Sequence, residues 1–332
     1  MDYIKQFPDL LCDKTVLYVH GFASSGQSGT VKRMQQAFPS ARIIAPDLPV
    51  EPEEAIALLA DTCQQQQPSL IVGTSMGGMY TEQLAGYWRI VVNPALRIAD
   101  TMAEHGMMGK QQFFSPRQDG IQEFYVDKPL VKRYRQVTER NFAHADDDGE
   151  QKRVFGLFGT DDPLVHTFDL FASHYRQAIR FHGEHRMDDR SFMHSVVPVI
   201  RWIDDLQEKR ERPIIYIGIE ALRDARGNAA PSAQKAVGQL IERYSVSFVA
   251  PAPAYDAARY ATDNAWLQQY IGVPAWGHTI FTNHREQLYG DYLIETADAA
   301  TPDTLATRIV LGSEQFKTWD DIIDYYSLMG GQ

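Results

Sequence analysis

A five-residue stretch, Gly73-Thr74-Ser75-Met76-Gly77, constrains the fold of this chain more than any other feature. It follows the apolar run of residues 69–72 and precedes a segment that is predicted to be helical. A G-x-S-x-G pattern in a strand-to-helix connection is typical of a turn so sharp that flanking side chains would clash, and glycines remove that clash. We therefore predict that the Ser75 hydroxyl is exposed at the carboxyl end of a sheet, above a helix N-terminus, where a nucleophile and a developing oxyanion are stabilised.

The composition is that of a globular chain with room for two domains. The chain has 332 residues, 44% hydrophobic and 23% charged, so its core needs neither disulfides nor metals. The net charge of -11 disfavours nucleic acid and anionic membrane surfaces as partners. Cys12 and Cys63 lack metal-ligand spacing, and we find neither a signal peptide nor a membrane-spanning run. We therefore expect a cytoplasmic protein that uses no metal and no cofactor.

Short apolar runs alternate with helical segments through the first 210 residues. The predicted strands lie at residues 15–19, 41–45, 69–72, 89–92, 153–158 and 178–181. The predicted helices lie at residues 30–38, 51–67 and 191–208, the last of them bent at Pro198. This alternation predicts an α/β domain with a doubly wound, mainly parallel sheet.

An insertion of residues 97–152 separates the fourth and fifth predicted strands. It is far longer than an ordinary loop, and it contains aromatic residues and the acidic run Asp146-Asp147-Asp148. Insertions at this place in such folds commonly form a lid over the active site, which is the role we expect. The alternative is a surface excursion with no part in substrate choice.

A charged run at residues 208–212, followed by Pro213, predicts a domain boundary. Further strands are predicted at residues 214–217, 246–250, 278–282, 291–294 and 308–311. A last helix begins at Thr318 and carries Asp320 and Asp321 in its first turn, which suits the helix dipole. We predict a first domain at residues 1–210 and a smaller, Rossmann-like α/β domain at residues 213–332.

A serine nucleophile needs an acid and a base, and after a G-x-S-x-G turn the chain order is serine, acid, histidine. The acid candidate is Asp162, which follows the fifth strand. Its neighbour Asp161 is the alternate, but residues 159–165 resemble a G-x-x-D-x-x-V pattern that favours Asp162. Capping of a helix N-terminus is the competing role for either aspartate.

The base candidate is His185, in the loop between the sixth strand and the last helix of the first domain. His182 ends a strand and His194 lies within a helix, so both are alternates of lower rank. The backbone N–H groups of Phe22 and Met76 are predicted to form the oxyanion hole, because they follow the first strand and the serine respectively.

Four motifs of the first domain resemble the YqiA/YcfP-like branch of the α/β-hydrolase family. They are Val19-His20-Gly21-Phe22, Gly73-Thr74-Ser75-Met76-Gly77-Gly78, Val92-Asn93-Pro94-Ala95 and Gly183-Glu184-His185-Arg186. The resemblance covers about residues 15–205. It implies an α/β-hydrolase domain with esterase or thioesterase chemistry on a small or medium acyl group.

The second domain, about residues 213–328, resembles the 5'-nucleotidase branch of the haloacid-dehalogenase-like superfamily. The matching motifs are Trp266-Leu267-Gln268-Gln269-Tyr270, Gly290-Asp291-Tyr292-Leu293-Ile294 and Thr318-Trp319-Asp320-Asp321-Ile322-Ile323. The resemblance implies an aspartate nucleophile, a hydroxyl and paired metal-binding acids. At those positions the chain has Gly218, Val249 and Glu295-Thr296. The chain therefore lacks the aspartate nucleophile, the hydroxyl and one of the two metal-binding acids. We predict a non-catalytic domain, because phosphoryl transfer through an aspartyl-phosphate needs the nucleophile.

The leading hypothesis is a serine hydrolase of carboxylic esters or thioesters with an accessory pseudo-phosphatase domain. Lyases and C–C hydrolases use the same triad. One alternative is a binding or regulatory protein in which both domains are inactive. Another is a phosphohydrolase in which the second domain uses Glu220. The expected partner is a small acyl ester or thioester. Binding of a nucleotide-like ligand, packing on the hydrolase domain and homo-oligomerisation are the roles left open to the second domain.

Overall fold

Two parallel sheets organise the chain. Residues 4–299, 301 and 303–329 are described by a computed structural model. The chain divides into two compact units between residues 204 and 205, and each unit contains one all-parallel sheet with helices in the connections. The predicted fold class is therefore confirmed at the level of the sheets: both units are α/β, and each is built on a parallel sheet with helices in its connections.

The six main-sheet strands of the first unit follow the predicted runs closely, whereas two further strands, in the insertion, were not predicted. Within the described residues they are β1 (Thr15–Val19), β2 (Arg42–Ile44), β3 (Leu70–Thr74), β4 (Arg89–Val92), β5 (Gly109–Gln112), β6 (Glu123–Val126), β7 (Val154–Gly159) and β8 (Ala178–Phe181). The main sheet has the order β2-β1-β3-β4-β7-β8, with every neighbouring pair parallel. All carboxyl ends therefore lie along one edge, with the end of β3 near its centre.

Helices occupy the connections of the first unit. They are α1 (Gly29–Ala37), α2 (Pro52–Gln66), α3 (Met76–Glu82), α4 (Ile98–Glu104), α5 (Lys128–Thr138), α6 (Asp148–Arg153), α7 (Phe168–Ala172), α8 (Asp189–Ser191) and α9 (Val197–Glu208). The helix predicted at residues 191–208 is interrupted by a π-helical turn at Phe192–Val196. The reason is local: Pro198 has no N–H to donate, and the wider turn lies directly before it.

The insertion between β4 and β7 has structure of its own. It contains α4, the antiparallel hairpin of β5 and β6, and helices α5 and α6. Its returning end is joined to the core by buried polar groups, since Glu82 accepts from Phe142 N at 3.1 Å and Arg89 pairs with Glu150. A buried ion pair is retained only when both charges are satisfied, so this contact holds the end of the insertion in place.

The second unit contains a five-stranded parallel sheet. Its strands are β9 (Ile214–Gly218), β10 (Ser245–Ala250), β11 (Thr279–Phe281), β12 (Tyr292–Thr296) and β13 (Thr307–Leu311), in the order β11-β10-β9-β12-β13. Its helices are α10 (Ala233–Leu240), α11 (Ala257–Tyr270) and α12 (Trp319–Met329). The chain direction across the sheet reverses between β9 and β12, and that switch point is where ligands bind in open α/β sheets.

None of the helices in the described part of the chain combines the length and the hydropathy that a membrane crossing requires.

Candidate functional site

The serine lies in a sharp turn between β3 and α3. Ser75 has φ 54° and ψ −121°, a backbone conformation that costs a non-glycine residue about 1–3 kcal/mol and persists only where its surroundings impose it. Two bonds impose it here: Ser75 N donates to Val92 O, and Ala95 N donates to Ser75 O, both at 2.9 Å. A Cβ on Gly73 or Gly77 would collide with neighbouring atoms, so glycine is required on both sides of the turn.

Three side chains from separate segments form one hydrogen-bonded line. His185 Nε2 lies 3.0 Å from Ser75 Oγ, and His185 Nδ1 lies 2.8 Å from Asp162 Oδ2. Asp162 follows β7 and His185 follows β8, so both lie at the edge of the sheet where β3 ends. The structure therefore brings the three predicted residues together with the connectivity of nucleophile, base and orienting acid.

The carboxylate of Asp162 is buried but well satisfied. Burial acts to raise its pKa, yet hydrogen bonds from His185 and from the backbone N–H groups of Leu164 and Val165 outweigh burial, and the net pKa is lowered. The two N–H groups donate to Oδ1 at 2.7 and 3.0 Å, which leaves Oδ2 for His185. The acid therefore stays ionised and holds the imidazole with its proton on Nδ1 and a free lone pair on Nε2.

The alternates lie outside this line. Asp161 is exposed and its carboxylate accepts from Thr160 Oγ1 at 3.1 Å. His182 is exposed at the start of the loop that follows β8, and His194 is exposed on the π-helical turn. His185 is thus the histidine that contacts Ser75, and Asp162 is the acid that contacts His185.

Asn93 positions the loop that carries His185, and sequence reasoning missed this role. Its Nδ2 donates to the carbonyls of Glu184 and His185 at 3.0 and 3.1 Å, and its Oδ1 accepts from Gly159 N at 2.7 Å. One buried amide, directly after β4, therefore joins the end of β7 to the loop after β8 that carries His185. The signals in the sequence were its place directly after the fourth strand and its membership of the Val92-Asn93-Pro94-Ala95 motif. Its φ is 46°, a conformation that asparagine tolerates.

We expect Asn93→Asp to lower kcat for ester hydrolysis about 10²-fold with a smaller change in KM. The carboxylate cannot donate, and it repels the two carbonyls that the amide holds, so His185 is displaced from Ser75. Steady-state kinetics on a chromogenic ester measures this. Asn141→Asp is the matched control, because Asn141 Nδ2 also donates to a carbonyl, Leu96 O at 3.0 Å, away from the line. Equal losses in both variants would contradict the positioning role.

The loop after β1 runs beside the serine. A Cβ on Gly21 would lie 3.8 Å from Ser75 Oγ, so the backbone of this loop reaches the nucleophile. His20 anchors the loop: its Nε2 accepts from Leu48 N at 3.0 Å and its Nδ1 lies 2.9 Å from the Gly21 carbonyl. Burial lowers the pKa of His20, consistent with a neutral ring. On the other side of the serine, the Met76 N–H belongs to the first turn of α3 and has no acceptor within that helix.

The second unit has a cluster of charged side chains at its switch point. Arg285 donates to both oxygens of Glu220, at 2.6 and 2.8 Å, and its Nη1 lies 3.6 Å from Glu295 Oε2. Glu295 is fully buried. It accepts from Thr301 N, from Thr301 Oγ1 and from Arg308 Nε at 2.8–2.9 Å. Both acids are thus occupied by protein donors.

The cluster also fills the space at the end of β9. The Glu220 carboxylate occupies the volume into which a Gly218 Cβ would project, so a side chain at position 218 would displace Glu220 from Arg285. Val249, at the end of β10, is buried and carries no hydroxyl. In residues 4–299, 301 and 303–329, no group of three or more His, Cys, Asp or Glu side chains is arranged to hold a metal ion.

Comparison with known families places one match on the first unit. A family model described as "Uncharacterised protein family (UPF0227)" matches residues 15–141. The match begins at β1, includes the turn that carries Ser75, and ends before Asp162 and His185. A search of curated proteins finds no match to this chain.

Several solved structures are similar to a part of the chain. One is a thioesterase domain from the curacin biosynthetic pathway, with 16% identity over 60% of this chain and 92% of that chain, at a TM-score of 0.35. A second is Est1E from Butyrivibrio proteoclasticus, with 14% identity over 61% and 91% of the two chains, at a TM-score of 0.36. A third is the esterase domain of a Rhodothermus marinus protein, with 14% identity over 58% and 88%, at a TM-score of 0.35. At such TM-scores these similarities carry nothing about substrate.

Proposed function

We propose that this chain is a serine hydrolase that cleaves carboxylic esters or thioesters through an acyl-enzyme. The observation that carries the proposal is the hydrogen-bonded line from Ser75 through His185 to Asp162. A binding protein has no need for a strained serine aligned with a base and an ionised acid, and strain of this kind clusters at functional sites.

The chemistry follows from that line. Ser75 Oγ attacks the carbonyl carbon of the substrate while His185 Nε2 accepts the hydroxyl proton, and Asp162 stabilises the imidazolium that forms. The oxyanion of the tetrahedral intermediate accepts hydrogen bonds from the N–H groups of Phe22 and Met76. His185 then gives its proton to the leaving oxygen or sulfur, which departs and leaves an acyl ester on Ser75.

Water completes the reaction by the same route. His185 Nε2 takes a proton from the water that attacks the acyl-enzyme carbonyl, and it returns that proton to Ser75 Oγ as the carboxylic acid is released. No step requires a metal or a cofactor. The insertion at residues 97–152 acts as the lid, because residues of its hairpin lie against the loop after β1.

We further propose that the second unit, the predicted domain at residues 213–332, is a non-catalytic relative of haloacid-dehalogenase-like phosphatases. Glycine stands at position 218, where the family has its nucleophile, and Glu220 is engaged by Arg285 through two hydrogen bonds. A carboxylate paired in this way is a poor nucleophile and a poor Mg²⁺ ligand, since the arginine already neutralises it.

A panel of p-nitrophenyl esters, with p-nitrophenyl phosphate and Mg²⁺ run in parallel, tests both proposals. We expect ester turnover that disappears in Ser75→Ala. We expect no release of p-nitrophenol from p-nitrophenyl phosphate. Phosphate turnover that disappears in Glu220→Gln would instead favour the phosphohydrolase. Absence of both activities in a folded wild-type protein would favour a binding or regulatory role.

A further inference from the structure

The loop after β1, residues 20–28, contains a strained turn beside Phe22. Ser24 N donates to Gly21 O at 3.2 Å, which closes a four-residue turn with Phe22 and Ala23 at its centre. Ala23 has φ 56°, a value that such turns usually give to glycine and that is unfavourable for other residues. A strained conformation persists only where contacts outside the turn impose it. The N–H of Phe22 takes no part in the turn's hydrogen bond and is left for the oxyanion.

The hairpin of β5 and β6 makes contacts of this kind. Phe114 N, two residues after β5, donates to Ala23 O at 2.8 Å. The ring of Phe124, in β6, packs edge-on against the ring of Phe22 at a centroid distance of 5.3 Å. The hairpin therefore touches both the residue that we assign to the oxyanion hole and the strained residue that follows it, so it can impose the conformation of both.

The carboxylate of Asp47, three residues after β2, joins the loop to the hairpin. Asp47 Oδ1 accepts from Gly26 N at 2.7 Å, and Asp47 Oδ2 accepts from Gln118 N at 2.6 Å. A Cβ on Gly26 would collide with Ala45 O, so the loop passes too close to this segment for a side chain at position 26. One side chain thus holds a backbone N–H of the loop and a backbone N–H of the connection between β5 and β6.

Leu48 and Ser25 provide two more links between the same segments. Leu48 N donates to His20 Nε2 at 3.0 Å, and the Leu48 carbonyl accepts from Arg117 Nη1 at 3.0 Å. The hydroxyl of Ser25 is fully buried and donates to Pro116 O at 2.6 Å. Asp47 and Ser25 are the links that a substitution can remove without changing the backbone.

The two N–H groups assigned to the oxyanion hole differ in what holds them. Met76 N–H belongs to the first turn of α3, and the bonds of Ser75 to Val92 and Ala95 fix that turn. The Phe22 N–H lies on the loop that the hairpin contacts. An oxyanion donor must lie about 2.7–3.1 Å from the place where the charge develops, and a misplacement of about 1 Å can cost 10²-fold in rate. The Phe22 N–H is therefore the donor that depends on the hairpin.

We propose that Asp47 and Ser25 are positioning residues for acyl transfer: they fix the hairpin to the loop after β1, and the docked hairpin holds the Phe22 N–H where the oxyanion forms. This inference rests on the proposed hydrolase function. It gives the hairpin a role beyond that of a cover, because the oxyanion hole is complete only while the hairpin is docked.

Kinetics of Asp47→Ala and Ser25→Ala, with inhibition by a short alkyl trifluoromethyl ketone, tests the proposal. Ser75 Oγ adds to the ketone carbon, the hydroxyl proton passes to His185, and the ketone oxygen becomes an oxyanion, so the inhibition constant reports on the oxyanion hole. In both variants we expect kcat for ester hydrolysis to fall about 10- to 100-fold with KM changed less than about twofold. The inhibition constant should rise by the factor by which kcat/KM falls.

Asp127→Ala is the matched control. The Asp127 carboxylate also accepts from a backbone N–H, that of Leu130 at 2.8 Å, but this bond caps α5 within the insertion and does not reach the loop after β1. Its kcat and its inhibition constant should equal those of the wild type.

The outcomes separate this inference from the proposed function. Unchanged kcat in Asp47→Ala and Ser25→Ala, or an equal loss in Asp127→Ala, would overturn the positioning role, while turnover that disappears in Ser75→Ala leaves the hydrolase intact. A lower kcat with an unchanged inhibition constant would also overturn it, because loss of folded enzyme lowers only the first.

If the wild type hydrolyses no ester, the proposed hydrolase fails, and titration with the ketone followed by fluorine NMR decides the inference by itself. Binding to the wild type that weakens in Asp47→Ala and in Ser25→Ala would support it. Binding that is equal in all three proteins, or absent from the wild type, would overturn it.

Discussion

Ser75→Ala and His185→Ala are each expected to lower kcat for ester hydrolysis about 10⁴- to 10⁶-fold, and the double variant is expected to lose no more than either single one. The reason is that the two side chains act as one unit. Without the imidazole, Ser75 Oγ keeps its proton and is a weak nucleophile. Without the hydroxyl, His185 has no proton to take from the attacking group.

Steady-state kinetics of the two single variants and the double variant on one ester measures this non-additivity. Ser173→Ala and His194→Ala are the controls, because both residues are exposed in the same unit and neither touches the line. Losses that multiply in the double variant would show that Ser75 and His185 act independently. Full activity in either single variant would remove that residue from the mechanism.

Asp162→Asn is expected to lower kcat about 10⁴-fold. The amide can still accept from the N–H groups of Leu164 and Val165 through its oxygen, which leaves its NH₂ group facing His185. An NH₂ group donates to Nδ1 and thereby moves the imidazole proton to Nε2, where it blocks acceptance from Ser75. Asp161→Asn, at the exposed neighbour, is the matched control and should retain wild-type activity.

The effect of Asp162→Asn on the free energy of unfolding is also expected to depend on pH. The folded-state pKa of Asp162 is lowered, so its ionised form contributes stability that is fully present above the unfolded pKa, about 3.9, and lost as pH falls through the folded value. Urea unfolding should therefore show Asp162→Asn less stable than the wild type at pH 7, with the gap closing below about pH 4. A gap that stays constant across this range would argue that the carboxylate is not ionised in the folded protein.

Local patterns predicted much of the first unit because the signals are short-range. The apolar runs predicted β1, β4 and β8 to the residue, and the other strands of the main sheet differ from their predictions by one or two residues at their ends. The G-x-S-x-G pattern predicted the turn because the clash that glycine relieves arises within five residues. Chain order and loop position were also enough to choose Asp162 and His185, and their catalytic roles stay predictions.

Other features depend on contacts between distant segments. The local sequence does not show that the amide of Asn93 joins the end of β7 to the loop after β8, because its partners are 66 to 92 residues away. The same holds for Phe124, whose side chain reaches Phe22 in the loop after β1 only when the hairpin of β5 and β6 folds back onto that loop. In the second unit, the pairing of Glu220 with Arg285 joins residues 65 positions apart.

The sequence by itself therefore determined the fold class, the positions of the strands and the identity of the candidate nucleophile, acid and base. Hydrophobic period, glycine at a crowded turn and the order of motifs act over a few residues or along the chain, so they can be recognised without coordinates. Only the tertiary structure decided what surrounds those residues. The packing of the β5–β6 hairpin on the loop after β1 and the pairing of the buried acids depend on which distant side chains share one volume.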